Sequence, residues 1–372
     1  MSMLKQLIQL SRRYWWLSLL VWIALIDPAA ALELRVAIKE DAARVNVGSS
    51  TAAVVRDDTG QLLGEMPAMI GLDAESVSGT VALGSWQSQQ IWIEPREGGY
   101  VWIGDRWYRG RTQIVPTPKG LLAVNHVDLE QYLYSVLGAE MSASWPLEAL
   151  KAQAVAARSY ALHQRETSAK GFYDLGNTQT WQVYKGLESE ASTTQTAVSS
   201  TAGQVMTYKD KIILAVFHSS SGGHTENVEN VWSEPLPYLR GVPDYDQGTP
   251  SYQWVKSFSR SELSKRLGTS NIQSLIPERT SEFGRVLAMK VVTDKGSQSI
   301  TATKMRQVLG LKSTRFSVTA TPTGFQFNGN GFGHGIGLSQ WGAYNLARQG
   351  VNYETILGHY YRGANIAQIE VN

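Results

Sequence analysis

The sequence predicts an α+β protein, with a β-rich N-terminal region followed by a body of mixed helix and sheet. Three observations carry that expectation. Across residues 32–124, short runs of β-branched and aromatic residues are punctuated by glycines. Residues 125–164 then change to helical spacing and read as two helices meeting at a turn. Beyond residue 188, short helical and strand patterns alternate to the end, with no internal repeat and no long flexible linker.

The first 31 residues stand apart. Lys5, Arg12 and Arg13 precede an apolar run over residues 15–26, and Ala29, Ala30 and Ala31 follow. This is the layout of a secretory signal peptide, with cleavage expected after Ala31. The run is short of the about 20 residues a membrane span needs, so membrane attachment is expected only if the segment stays uncleaved. Either way, the body is expected to work outside the cytoplasm.

In the β-rich region, strands are expected at residues 34–38, 52–55, 80–83, 91–93 and 100–103, with turns at Gly60, Gly79, Gly84 and the Gly98-Gly99 pair. Residues 109–115 and 121–124 form a hairpin closed by Pro116-Thr117-Pro118-Lys119-Gly120. Next, Asp128 can cap a helix by accepting the N–H of Gln131. Leu129, Leu133, Val136 and Leu137 make one apolar stripe along it. A second helix is expected from Trp145-Pro146 to about Gln164, proline being favoured in a first turn. Ala149, Ala152, Ala154, Ala156, Ala157 and Ala161 give that helix a small-sided face against which another element can pack closely. Residues 172–186 read as a polar, aromatic loop, residues 188–200 as a helix, and residues 205–208 and 212–217 as a hairpin. Further on, the pattern gives helices at 261–267, 303–309, 340–348 and 353–361, and a hairpin across Asp294-Lys295-Gly296. Ser339 is the expected cap of the helix at 340–348.

Composition narrows the function classes. With 372 residues, 43% of them hydrophobic and 18% charged, the chain can bury one large core or two moderate ones. The formal charge of +2 is accounted for by Lys5, Arg12, Arg13 and Asp27, so the remainder is near neutral and offers no case for nucleic-acid binding. The absence of cysteine excludes disulfides, thiolate metal sites and a Cys nucleophile. The 12 Trp and 16 Tyr suit a carbohydrate cleft, where flat rings stack on sugar faces, and equally a large core.

Among chemical candidates, Glu140 stands out. It continues the apolar stripe three to four residues beyond Val136 and Leu137, and a carboxyl in such surroundings has a raised pKa, as a general acid requires. The competing reading is a structural Glu satisfied by a backbone N–H or by an Arg such as Arg158. The glycine-rich segment at residues 329–337 has neither phosphate-loop spacing. Gly337-Leu338-Ser339-Gln340-Trp341 lacks the last glycine of a nucleophile elbow. Zinc binding by His218, His224, His334 and Glu226 is stereochemically feasible but matches no compact metal motif.

Five ordered motifs resemble the SpoIID/LytB domain family. They are VNHVDLEQYL at residues 124–133, continuing to Glu140-Met141; EALKAQAVAARSY at 148–160; FHSSSGGHTE at 217–226; LGLKS at 309–313; and GFGHGIGLSQWGA at 331–343. The resemblance covers roughly residues 109–363, leaving 32–108 as a β-rich N-terminal region and 364–372 as a C-terminal tail. It implies a bacterial cell-envelope protein with a SpoIID-like catalytic body and a substrate cleft. Sporulation members of the family are lytic transglycosylases that cut peptidoglycan glycan strands stripped of stem peptides, and their catalytic Glu falls on Glu140 here. Lys151, Gln153, Arg158, Tyr160, His218, Ser219, His334, Ser339 and Gln340 become the candidates for substrate positioning. Zinc-binding members use Cys and His in the loop after the second helix. This chain has Gln179-Thr180-Trp181-Gln182-Val183-Tyr184 there, so no metal and no other cofactor is expected. Other members are amidase enhancers, so the expected partners are glycan strands in the periplasm or cell wall and an N-acetylmuramoyl-L-alanine amidase.

Overall fold

A computed structural model describes residues 32–168, 171–232 and 234–370; the segment read as a signal peptide lies outside the described residues. The chain is α+β, as its sequence predicts, with seven α-helices among the described residues and strands gathered in several sheets. Among the described residues no helix is long and apolar enough to cross a membrane.

A seven-stranded and a six-stranded sheet build the N-terminal region. Their strands alternate buried and outward residues, and both inner faces feed one core through residues such as Val55, Ile93 and Ile114 from one sheet and Val47, Val81 and Ile103 from the other. Several of these strands escape the sequence pattern: Arg44–Ser49, Leu62–Met66, Gly71–Val77, Trp86–Ser88 and Arg106–Tyr108. Gly71–Val77 shows why, because Ala74 is its only fully buried residue and the period-2 signal is correspondingly weak. The first strand, Glu33–Ala42, pairs with Gly120–Asp128 on one side and with Leu175–Gly176 on the other. It thereby ties the sheets to the helical body, and one continuous core runs from Leu34 to Tyr361.

Helix α1, Leu129–Glu140, starts at the expected cap, where Asp128 accepts the Gln131 N–H at 3.0 Å. Helix α2, Leu147–Ser168, runs about one turn past the expected end. Its six alanines are fully buried, and α1 and three later helices pack around it: α3 (Ser192–Ser200), α6 (Gln340–Arg348) and α7 (Tyr353–Tyr360). The helix expected over 188–200 is broken. A single 3-10 turn, Gly186–Ser189, precedes α3, because Glu190 and Ala191 are extended and the Glu190 carboxylate is held by Arg109 at 2.8 Å. The hairpin expected at 205–217 is also shorter. On its hairpin edge Gln204–Tyr208 pairs with the two-residue strand Lys211–Ile212, around a tight turn in which Lys209 and Asp210 have positive φ. Phe217–His218 leaves that hairpin and pairs instead, in parallel, with Leu338–Ser339. The other edge of Gln204–Tyr208 is taken by Asn365–Gln368, a strand within the C-terminal tail.

Helices α4 (Arg260–Leu267) and α5 (Ala302–Leu309) belong to a second, separate core that runs from Trp254 to Phe327. Strands on both sides of these helices complete it, including the Val286–Thr293 and Gly296–Thr301 hairpin. Ser259 and Thr301 cap the two helices, and Gly268 and Gly310 end them in the left-handed conformation.

Arg158 decides how the helices sit. It is fully buried in α2, donates Nε and Nη2 to Glu130 of α1 at 2.7 and 2.6 Å, and donates Nη1 to the Gln204 carbonyl at 3.0 Å. Replacing one partner of a buried pair strands the other charge, at about 3–5 kcal/mol. Arg158→Met is therefore expected to lower unfolding free energy by about that amount, read as an earlier urea midpoint with little change in slope. A stability equal to wild type would show that the pair anchors nothing.

Candidate functional site

Helix α1 ends on Glu140, a half-buried carboxyl. Burial raises its pKa above the ordinary 4.5, partly offset by hydrogen bonds from the Val183 N–H and the Gln340 amide. Its place at a helix C-terminus acts in the same direction as burial, because the free carbonyls there disfavour an anion. Val183 N donates to Oε1 at 3.0 Å, and Gln340 Nε2 approaches Oε2 at 3.5 Å. Arg158, the alternative partner considered from sequence, is committed to Glu130.

The Val183 N–H is aimed by its two neighbours. Gln182 is fully buried, accepts from the Tyr132 hydroxyl at 3.0 Å and donates to the Ala157 carbonyl at 3.1 Å. On the other side, the Tyr184 hydroxyl donates to Asn125 Oδ1 at 2.8 Å. A backbone amide between two such anchors meets the carboxyl without further ordering. The loop that lacks Cys and His is thus pinned by an amide and a phenol.

Two histidines face the same space with their rings 5.3 Å apart. His218 Nδ1 lies 3.1 Å from the Ile336 carbonyl, which can only accept, so that nitrogen carries the proton. Its Nε2 is buried with no hydrogen-bond partner among the described residues. His334 has the opposite tautomer: Nδ1 accepts the Ile336 N–H at 3.1 Å, and Nε2 donates to the Phe217 carbonyl at 2.9 Å. Burial pulls His218 well below 6.5 and His334 down to about 3, with the Arg285 and Arg306 cations adding to the effect. Both rings are neutral at pH 7. The glycine-rich segment allows this close approach. Gly333 has φ +118°, and a Cβ there would meet the His218 Cβ at 2.7 Å, while one on Gly335 would strike the buried Arg285 guanidinium.

Glu140, Tyr160, His218, Ser219, His334 and Gln340 line one pocket of about 580 Å³. The other sequence candidates lie elsewhere. Lys151 pairs with Glu148 at 2.8 Å and sits over the Tyr353 ring. Gln153 is fully buried in the core. Arg158 is the buried anchor described above, and Ser339 is buried as the cap of α6, accepting from Gly342 N at 3.3 Å. Trp181, Trp232, Phe332 and Arg306 line the pocket without having been singled out. Trp181 lies in the polar aromatic loop, whereas Arg306 lies in a stretch whose pattern reads as ordinary amphipathic helix. Glu140 is the only carboxylate among the described residues lining the pocket. No cluster of three or more His, Asp or Glu side chains suited to a metal occurs among the described residues. A second pocket, of about 400 Å³, lies at the N-terminal sheet. Its charged groups already have partners: Arg111 pairs with Glu33 and Glu94, His126 Nδ1 lies 2.9 Å from Glu33, Arg109 pairs with Glu190 outside the pocket, and Asp128 caps α1.

Fold and site together define an α+β protein with one isolated acid in a polar and aromatic pocket. A family model described as stage II sporulation protein matches residues 117–208, and one for a domain of unknown function matches residues 244–337. An uncharacterized protein of Brachyspira hyodysenteriae is 34% identical over 281 residues, covering 73% of this chain and 74% of that one. Stage II sporulation protein D of Bacillus subtilis is 33% identical over 267 residues, covering 67% and 77% respectively. An amidase enhancer of the same organism is 31% identical over 290 residues, 63% of this chain and 40% of that one. The chain belongs to the SpoIID family of stage II sporulation protein D.

The raised carboxyl has a consequence for stability. Because its folded-state pKa lies above the unfolded value of 4.5, Glu140 contributes stability below that value and loses the contribution as pH rises through the folded pKa. Glu140→Gln is expected to remove this pH dependence and to raise Tm at pH 7 by roughly 2 °C. Thermal melts from pH 4 to 8 check it, and a Tm that falls at pH 7 would contradict a strained carboxylate.

Proposed function

We propose that this protein is a peptidoglycan lytic transglycosylase exported from the cytoplasm, working in the periplasm or cell wall, with Glu140 as acid and then base. The observation that carries the reading is a single carboxyl of raised pKa in the pocket, with no second carboxylate among the described lining residues. An ordinary glycoside hydrolase needs two carboxyls about 5–9.5 Å apart. A transglycosylase needs one. Glu140 gives its proton to the oxygen joining N-acetylmuramic acid to N-acetylglucosamine as the C1–O bond breaks. The resulting carboxylate takes the proton of the muramic 6-hydroxyl, whose oxygen closes on C1 to form the 1,6-anhydro ring. Glu140 ends protonated, and no water is consumed. The fixed Val183 N–H stabilises the carboxylate between the two steps. Tyr160, pushed up to about 12 mainly by burial, stays protonated as a hydroxyl donor, and His218, Ser219 and Gln340 offer further polar contacts. Trp181, Trp232 and Phe332 supply flat faces for sugar rings.

A second reading has its own observation, the similarity to an amidase enhancer. Here the same pocket binds glycan without cutting it, and the protein serves an N-acetylmuramoyl-L-alanine amidase.

Digestion of peptide-stripped glycan by the mature protein separates the two. Mass spectrometry is expected to show anhydro-muramic ends, and Glu140→Gln is expected to lower their rate of appearance by about 10²–10⁴-fold. Reducing ends in their place would mean hydrolysis. Intact strands that still bind would favour the non-catalytic module.

A further inference from the structure

Arg306 is the only lysine or arginine among the described residues lining the Glu140 pocket. It sits in the last turn of α5, and its Nε donates to the Lys312 carbonyl at 3.1 Å. Its Nη1 and Nη2 have no partner among the described residues, and it takes part in none of the described ion pairs. Arg285 and Arg315 also have guanidinium nitrogens without a partner among the described residues, but neither lines this pocket, and three other arginines have their forks filled. Arg109 holds Glu190, Arg111 holds Glu33 and Glu94, and Arg158 holds Glu130. A half-buried guanidinium with an unfilled fork carries a desolvation cost that a planar anion would offset, and the fork matches a carboxylate through two parallel hydrogen bonds.

We propose that Arg306 binds the lactyl carboxylate of a muramic residue whose stem peptide has been removed, and so makes the pocket prefer peptide-stripped strands. In an intact strand that carboxyl is an amide to the first stem residue: it is neutral, bulkier and unable to fill the fork. Hydrolysis of the amide by a separate enzyme creates the anion that Arg306 reads. The proposal rests on the glycan reading of the pocket and is independent of whether Glu140 cleaves anything.

The test is therefore made on binding as well as on cleavage. Glu140→Gln is titrated with three strands: peptide-stripped, peptide-stripped with the lactyl carboxyls capped as methylamides, and peptide-bearing. Capping is expected to weaken binding about 10–100-fold. Adding Arg306→Gln is expected to weaken binding to the stripped strand by a similar factor, to leave the capped strand unchanged, and to abolish discrimination between them. Arg306→Lys should recover part of it. Equal binding of stripped and capped strands to the Glu140→Gln protein overturns the proposal, and so does full discrimination by the Arg306→Gln variant. Tightest binding of peptide-bearing strands, lost in Arg306→Gln, also overturns it by placing the carboxylate on the stem peptide. If Arg306→Gln does not fold, the capping result and Arg306→Lys decide. Failure of the wild type to cut any strand sinks the transglycosylase reading and leaves the binding cycle standing; absence of binding to all three strands overturns both.

Discussion

The buried Arg158–Glu130 pair is the interaction on which the site's geometry depends. A guanidinium without solvent must have its fork filled, and here one carboxylate of α1 and the Gln204 carbonyl fill it. That requirement fixes α1 against α2 near the start of α1. Since a helix is stiff along its length, it also fixes where the other end of α1 presents Glu140. The alanine face of α2 does the rest by allowing the surrounding helices to approach closely.

Once Glu140 is placed, its chemistry follows from a shortage of partners. Burial disfavours its charge, while one backbone N–H and a distant amide compensate only in part. The nearby histidines add no charge beside it, because each ring has one nitrogen committed to donating to a backbone carbonyl and both are held neutral by burial. The glycines at 333 and 335 serve the same arrangement by letting the backbone lie directly on His218 and Arg285, where any side chain would push them apart. Acid, neutral rings and close backbone form one unit drawn from distant parts of the chain.

Parts of this were legible in the sequence because they are local. Asp128 capping α1, the apolar stripe leading to Glu140 and the alanine face of α2 are all properties of consecutive residues read at a fixed period. Weakly alternating strands such as Gly71–Val77 were not legible, since a strand with one fully buried side chain leaves little pattern. The break at Glu190 was hidden because an ion pair to Arg109, about 80 residues away in sequence, overrides local helix preference. Phe217–His218 looked like the end of a hairpin, yet its partner strand is Leu338–Ser339.

By itself, the sequence determined the α+β class, the two-helix unit and the family motifs, and it singled out Glu140 as the candidate acid, because those depend on residue type and short-range periodicity. Only the tertiary structure decided which polar residues share the pocket. It placed Tyr160, His218, Ser219, His334 and Gln340 beside Glu140, and it turned Arg158 and Gln153 into the core and Ser339 into a helix cap. It also brought Arg306 from the second core to the pocket wall. The reason is physical: a polar side chain's role is set by which partners reach it, and those partners come from across the chain, where no local period records them.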